Sequence, residues 1–241
     1  MNSSRRHIGL CLFSLLLIAG CASTKVTSRE RLVTGDVARP DRIWVDNFIA
    51  TPADVPADST FAGKFSEYST PQTDEEIASG RKLGNEIALY LVNRIAAQGL
   101  PTALGSTLTK PQINDILIRG YLLSIDKGSA VARIAIGFGA GKSELKAAVE
   151  TFQMTAQGLR KLGSGALEAG GSKGPGTAVP LGVAIATGNP VGLIVSSGAK
   201  IIGEVSGKST IEGRGEQIAK EIADTLNERF QEQGWVYPMR R

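Results

Sequence analysis

Two stretches 135 positions apart carry the same apolar stripe, and the pair limits which folds are open to this chain. Leu83, Ile87, Leu91 and Ile95 recur every four residues, and Ile218, Ile222, Leu226 and Phe230 do the same. Side chains four apart lie on one helical face, so each stretch predicts an amphipathic helix with a single side to bury. The ends are marked as well. Thr73 followed by Glu76 is a capping box, and Gly99 and Gly234 supply the left-handed residue that closes a helix. The expected helices run near 74–98 and 215–233. Arg94, Gln98 and Gly99 also fall on Arg229, Gln233 and Gly234, a likeness open to two readings, an internal repeat or, the favoured one, convergence of two amphipathic helices that end in glycine.

A helix with one apolar stripe needs a flat apolar partner. The intervening sequence supplies one. From Asp115 to Ile125, Ile116, Ile118, Gly120 and Leu122 alternate with Leu117, Arg119, Tyr121 and Leu123, the two-residue period of a strand. Further strands are expected at Asp41–Ile49, 131–138 and 144–156, the last with Leu145, Ala147, Val149, Thr151 and Gln153 on one side. Residues 50–72, with Pro52, Pro56 and Pro71, read as a long loop with no nameable chemistry. The expectation is an α+β domain over 41–236, with an antiparallel or mixed sheet of about four strands and both helices on one face.

The amino terminus carries an address. Arg5 and Arg6 precede an apolar run from Ile8 to Ile18, which as a helix of about eleven residues spans only ~16 Å, against a hydrocarbon core of ~30 Å. That is a signal peptide over residues 1–20 and not a membrane span. Ile18-Ala19-Gly20-Cys21 reads as a lipobox, with cleavage before Cys21 and diacylglycerol on its sulfur. No cofactor is expected beyond that covalent lipid. Residues 21–40, polar and ending in Pro40, read as a lipidated tether.

Composition removes several function classes. The chain has 27 basic and 23 acidic residues. Arg5 and Arg6 belong to the leader, which leaves a near-neutral body and no electrostatic case for nucleic acid. The only histidine is His7 and the only cysteines are Cys11 and Cys21, so the body lacks the parts for Ser-His-Asp or Cys-His catalysis, a His-ligated zinc site or an internal disulfide. Gly137-Phe138-Gly139-Ala140-Gly141-Lys142-Ser143 imitates a phosphate loop, but a true one needs glycine at 136, where the chain has Ile136. A glycine-kinked connection between strands is the better reading, and nucleotide binding is not expected. Glu75-Glu76 and Glu212 with Glu216 sit at helix starts, where carboxylates complement the dipole.

Residues 163–207 differ in kind. The glycines at 163, 165, 170, 171, 174 and 176 read as a flexible lead-in to two nearly uncharged segments, Ala178–Thr187 and Pro190–Val205. Asn189 and Pro190 suit a helix start. The expectation is a glycine- and alanine-rich helical hairpin, inserted in the domain, with Gly182, Gly188, Gly192, Gly198 and Gly203 allowing close helix contact. It is a candidate for self-association, shallow membrane contact or burial in its own domain.

The order of these elements resembles a known family. Arg42-Ile43-Trp44-Val45-Asp46-Asn47-Phe48, the capped helix, Asp115-Ile116-Leu117-Ile118-Arg119-Gly120, Gly137 to Gly141, and Ile211-Glu212-Gly213 to Gln233-Gly234-Trp235 are similar to uncharacterised Gram-negative lipoproteins catalogued as domain of unknown function 4410. More distantly, the strand, helix and meander order is similar to the α/β domain of the TolB amino-terminal region and the curli-secretion lipoprotein. In similar lipoproteins an Asp after the lipidated cysteine marks inner-membrane retention; here Ala22 follows. The resemblance implies an outer-membrane-anchored periplasmic lipoprotein acting as a non-enzymatic binding or assembly module of the envelope. Its partners would be the membrane through the anchor, and another copy or an envelope protein. The rival is a carboxylate-based glycan hydrolase, which needs two acids about 5–9.5 Å apart across a cleft.

Overall fold

The computed structural model describes residues 24–62, 72–106, 108–126, 144–170, 194–196 and 210–237. Seven strands and two long helices occur among them: β1 (Thr24–Arg31), β2 (Ile43–Val45), α1 (Asp74–Ala96), β3 (Thr102–Leu104), β4 (Ile116–Asp126), β5 (Glu144–Thr155), β6 (Gly158–Gly170), β7 (Ile194–Ser196) and α2 (Ile211–Glu232). Six strands form one mixed sheet in the order β1-β6-β5-β4-β2-β3. β1, β6, β5 and β4 pair antiparallel, whereas β4, β2 and β3 run parallel. β7 pairs parallel to the end of β4, at residues 124–126.

Both helices form for the reasons legible in their sequences. The Thr73 side chain accepts from the Glu76 amide at 3.3 Å, and the Glu76 carboxylate accepts from the Thr73 amide at 2.8 Å. α2 begins four residues earlier than expected, because Thr210 caps it by accepting from the Gly213 amide at 3.1 Å. Gly99 and Gly234 have φ of +85° and +69°, the left-handed ends their positions predicted. Leu83, Ile87, Leu91 and Ile95 are buried with Ile218, Ile222 and Phe230 in a single core. That core also holds Ile43, Val45, Ile116, Ile118, Leu122, Leu145, Ala147 and Val149 from one face of the sheet. α1 also approaches the backbone closely after β2. A methyl on Gly84 would lie 2.1 Å from the Phe48 carbonyl oxygen, so glycine is required there.

Several expectations are corrected. The sheet has six strands along its path and not about four. The segment read as a tether contains β1, whose ladder to β6 pairs Thr24 with Ala169 and Arg31 with Gly163. Beyond it Val37 accepts from the Trp235 indole at 3.1 Å and its amide donates to Gln233 at 2.6 Å, so this stretch is tied into the body. The glycines from 163 to 170, read as a flexible lead-in, belong to β6. Glycine costs entropy in a strand, but here pairing on both edges fixes the backbone. Finally, Ile194–Ser196, expected inside the second helix of the hairpin, is extended, and the rest of the hairpin lies outside the described residues. The strand expected at 41–49 shortens to β2; the chain then crosses α1, with the Phe48 amide on the Gly84 carbonyl at 3.1 Å, and returns to β4 through an Ile49–Tyr121 bridge. The expected strand at 131–138 and the Gly137–Ser143 motif lie outside the described residues.

Candidate functional site

The residues that the sequence offers as sites also lie outside the described residues: Ile18, Ala19, Gly20 and Cys21, and Gly182, Gly188, Gly192, Gly198 and Gly203. Three other features are built by described side chains.

On the sheet face away from the helices, Tyr121, Leu123 and Ala148 pack against Phe61 from the loop after β2. Beside them is a fully buried acid, Glu150. Its carboxylate accepts from Ser59 Oγ at 2.9 Å, the Thr60 amide at 3.2 Å, the Thr60 hydroxyl, Tyr121 OH at 2.7 Å and Lys161 Nζ at 2.8 Å. Burial pushes its pKa up, but the bonds from Lys161, Thr60 and Tyr121 and the Lys161 charge outweigh it and hold the group below its ordinary value. Burial pushes the Tyr121 phenol up, so it stays a donor. With every lone-pair direction engaged, this carboxylate is a pin for the loop at 59–60 and not a base facing substrate. Strand period places Glu150 on the face of Ala148, the only trace of the site in the sequence. The loop read as lacking chemistry supplies two of its partners.

Next to it, Arg119 bonds Asp58 at 2.8 Å, stands 3.6 Å from Asp46 and lies over the Phe152 ring at 5.2 Å. Burial raises the Asp46 pKa while Arg119 pulls it back. A raised carboxyl is what a general acid needs. Here the guanidinium stands between the two acids, so they form an ion-pair network and not an acid–base pair across open space. Among the described residues, no group of three metal-ligating side chains occurs, and no helix is long and apolar enough to cross a membrane.

The third feature is a cavity of ≈ 150 Å³ between α2 and the β1–β6 edge of the sheet. Its walls include Val26, Val37, Leu167, Leu226, Phe230 and Trp235. Phe230 and Trp235 stack at 5.4 Å. Arg29 pairs with Glu228 at 3.4 Å and Arg31 with Glu232 at 3.0 Å along its border, and Arg229 also reaches Glu232 at 2.9 Å. The hydrogen bond from Arg229, with Arg31 adding its charge, holds the Glu232 carboxyl below its ordinary range. This arrangement can accept an apolar group, and its acids Glu228 and Glu232 are engaged in the ion pairs of the border.

Fold and sites together define an α+β domain with two helices on one face of a mixed sheet, whose buried acid is committed to structure and whose concavity is apolar. The chain belongs to the protein family described as "Domain of unknown function (DUF4410)", which it matches over residues 43–188. No curated protein matches it significantly. Among solved structures it is similar to a point variant of the PelC dodecamer from Paraburkholderia phytofirmans, at 13% identity over 70% of this chain and 94% of that one, with a TM-score of 0.35. A second PelC dodecamer from the same organism is similar at 12% identity, over 70% and 95% of the two chains, with the same TM-score of 0.35.

Proposed function

We propose that this chain is a lipid-anchored protein on the periplasmic face of the outer membrane, and that it works by binding and not by catalysis. The observation that supports this reading is the contrast between the two faces of the sheet. The buried carboxylate of Glu150 is saturated by donors from the covering loop, Ser59 and Thr60, and from the sheet, Tyr121 and Lys161, while the concavity under α2 is walled mainly by aliphatic and aromatic side chains. A general base needs a free lone pair within reach of substrate. An apolar recess needs only a complementary apolar group.

The address rests on Ile18-Ala19-Gly20-Cys21 and on Ala22 after it. One acyl chain holds a protein to a bilayer only marginally, whereas several hold it stably. The experiment is Cys21→Ser, which removes the sulfur that would carry the diacylglycerol. The parent should label with palmitate and fractionate with the outer membrane, and crosslinking in intact cells should capture an envelope partner or a second copy. The variant should lose the label and the membrane fraction. Palmitate labelling that survives Cys21→Ser refutes the anchor. Release of sugars from purified envelope glycan by the purified protein refutes the binding role.

A further inference from the structure

The cavity under α2 has a cause in the sequence. Side chains paired across neighbouring strands share a face. Arg29, Gly165 and Val149 form one such row, and Arg31, Gly163 and Thr151 the next. These rows lie beneath α2, since Arg29 and Arg31 reach Glu228 and Glu232. In each row the central position is glycine; a methyl at 163 would meet the Glu30 carbonyl oxygen at 2.6 Å and one at 165 the Ser28 carbonyl oxygen at 3.3 Å, so the β1 backbone closes on these positions and no side chain rises from them beneath α2. Leu226 from the helix is only half-buried and does not close the gap.

Size and charge narrow the occupant. A dry apolar cavity of about 150 Å³ takes a benzene molecule, about six carbons, whereas pockets that hold a whole small ligand run to about 300–1,000 Å³. This one, at ≈ 150 Å³, suits the end of a chain. Its border carries three guanidinium groups, from Arg29, Arg31 and Arg229, against the carboxylates of Glu228 and Glu232. Glu30 is on the other face of the sheet, where it accepts from Ser164 at 3.0 Å. The border is therefore net positive. Arg29 and Glu228 are largely exposed, 46% and 67%, and an exposed pair of this kind exchanges partners at little cost. In addition, Cys21 precedes Val26 in the cavity wall by five residues, at most about 18 Å of extended chain. On the lipid-anchored reading above, on which this step rests, the cavity is held close to a membrane surface.

We propose that this cavity binds the terminal segment of a fatty acid, about six carbons deep, with the carboxylate end toward Arg29 and Arg31. An apolar side chain of a protein partner would match the volume, but it gives no reason for the positive border.

The test uses the full chain with Cys21→Ser, to remove its own lipid, and Trp44→Phe, so that Trp235 is the sole indole. Decanoic acid brominated at its terminal carbon is titrated below its micelle concentration. We expect saturable quenching of Trp235, because bromine seated in the cavity lies beside the indole. The equally brominated alcohol should bind up to about fivefold more weakly, the scale of an exposed ion pair. Val149→Phe and Leu226→Phe, each filling the cavity from a different wall, should abolish quenching while circular dichroism stays native. The parent chain with both tryptophans should gain thermal stability in decanoate, which guards against misfolding of any one variant. Absent quenching together with an unchanged melting temperature overturns the site. Undiminished quenching in both folded filling variants overturns it too, as does displacement by a short phenylalanine peptide at lower concentration than by decanoate. None of these results touches palmitate labelling or partner crosslinking in cells, so this site can fail while the anchored binding role stands.

Discussion

Replacing Glu150 by alanine is the most informative perturbation of this fold. The carboxylate is fully buried and accepts from four residues: Ser59, Thr60, Tyr121 and Lys161. Its loss removes the acceptor of the Tyr121 hydroxyl, which is wholly buried, and of the Ser59 hydroxyl, in a residue 7% exposed; the two hydroxyls retain each other, and Ser59 the Phe61 amide, so one donor between them is left unpaired. Each orphaned buried group costs about 1–3 kcal/mol. The Lys161 side chain, 15% exposed, can turn toward water, so its charge adds less than a sealed one would. The sum falls within the range of about 3–5 kcal/mol typical of breaking a buried pair by removing one partner. Urea denaturation of Glu150→Ala should show that loss, and hydrogen exchange at the Thr60 and Phe61 amides should accelerate because the loop has lost its pin. Glu150→Leu combined with Lys161→Met removes both charges, so it should cost less than the two single changes together. A loss below about 1 kcal/mol, the scale of an ordinary surface substitution, or unchanged exchange at those amides would refute the pin.

The same group sets a pH dependence. The folded pKa of Glu150 lies below its ordinary value of 4.5, so its contribution is complete above that value and is lost as pH falls through the folded pKa. The stability difference between parent and Glu150→Gln should stay level between about pH 5 and 7 and shrink below about 4.5, as followed by urea melts at each pH. Gly84→Ala gains about 1 kcal/mol in helix propensity but drives a methyl to 2.1 Å from the Phe48 carbonyl oxygen. A net loss of about 1–3 kcal/mol is expected in thermal melts, and a stabilised variant would refute the close approach. Leu91→Asp, at a fully buried position, should cost several kcal/mol, clearly more than Leu226→Asp at its half-buried one; equal losses would contradict the packing of α1.

Local sequence determined the elements whose signals are internal to them. The stripes at 83–95 and 218–230, the Thr73 capping box and the terminal glycines at 99 and 234 are satisfied within a few turns of backbone, so they are legible without knowing any partner. Strand β4 belongs with them. Its alternation predicts Ile116, Ile118 and Leu122 on one face and Tyr121 and Leu123 on the other, and these sides enter the two separate apolar clusters. Tertiary structure decided the rest, where a segment's state depends on a partner far along the chain. Thr24–Arg31 is polar enough to read as a tether; it becomes an edge strand because β6, some 130 residues later, offers it a ladder. The glycines of β6 have little conformational preference of their own, and only pairing on both edges makes them extended. Glu150 is an ordinary acid in an alternating strand until residues 59 and 60 fold over it. The cavity under α2 follows the same rule. Glycines 163 and 165 are visible in the sequence, but the space they leave exists only once β1 and α2 close around them, because a void belongs to an arrangement of elements and not to any one of them.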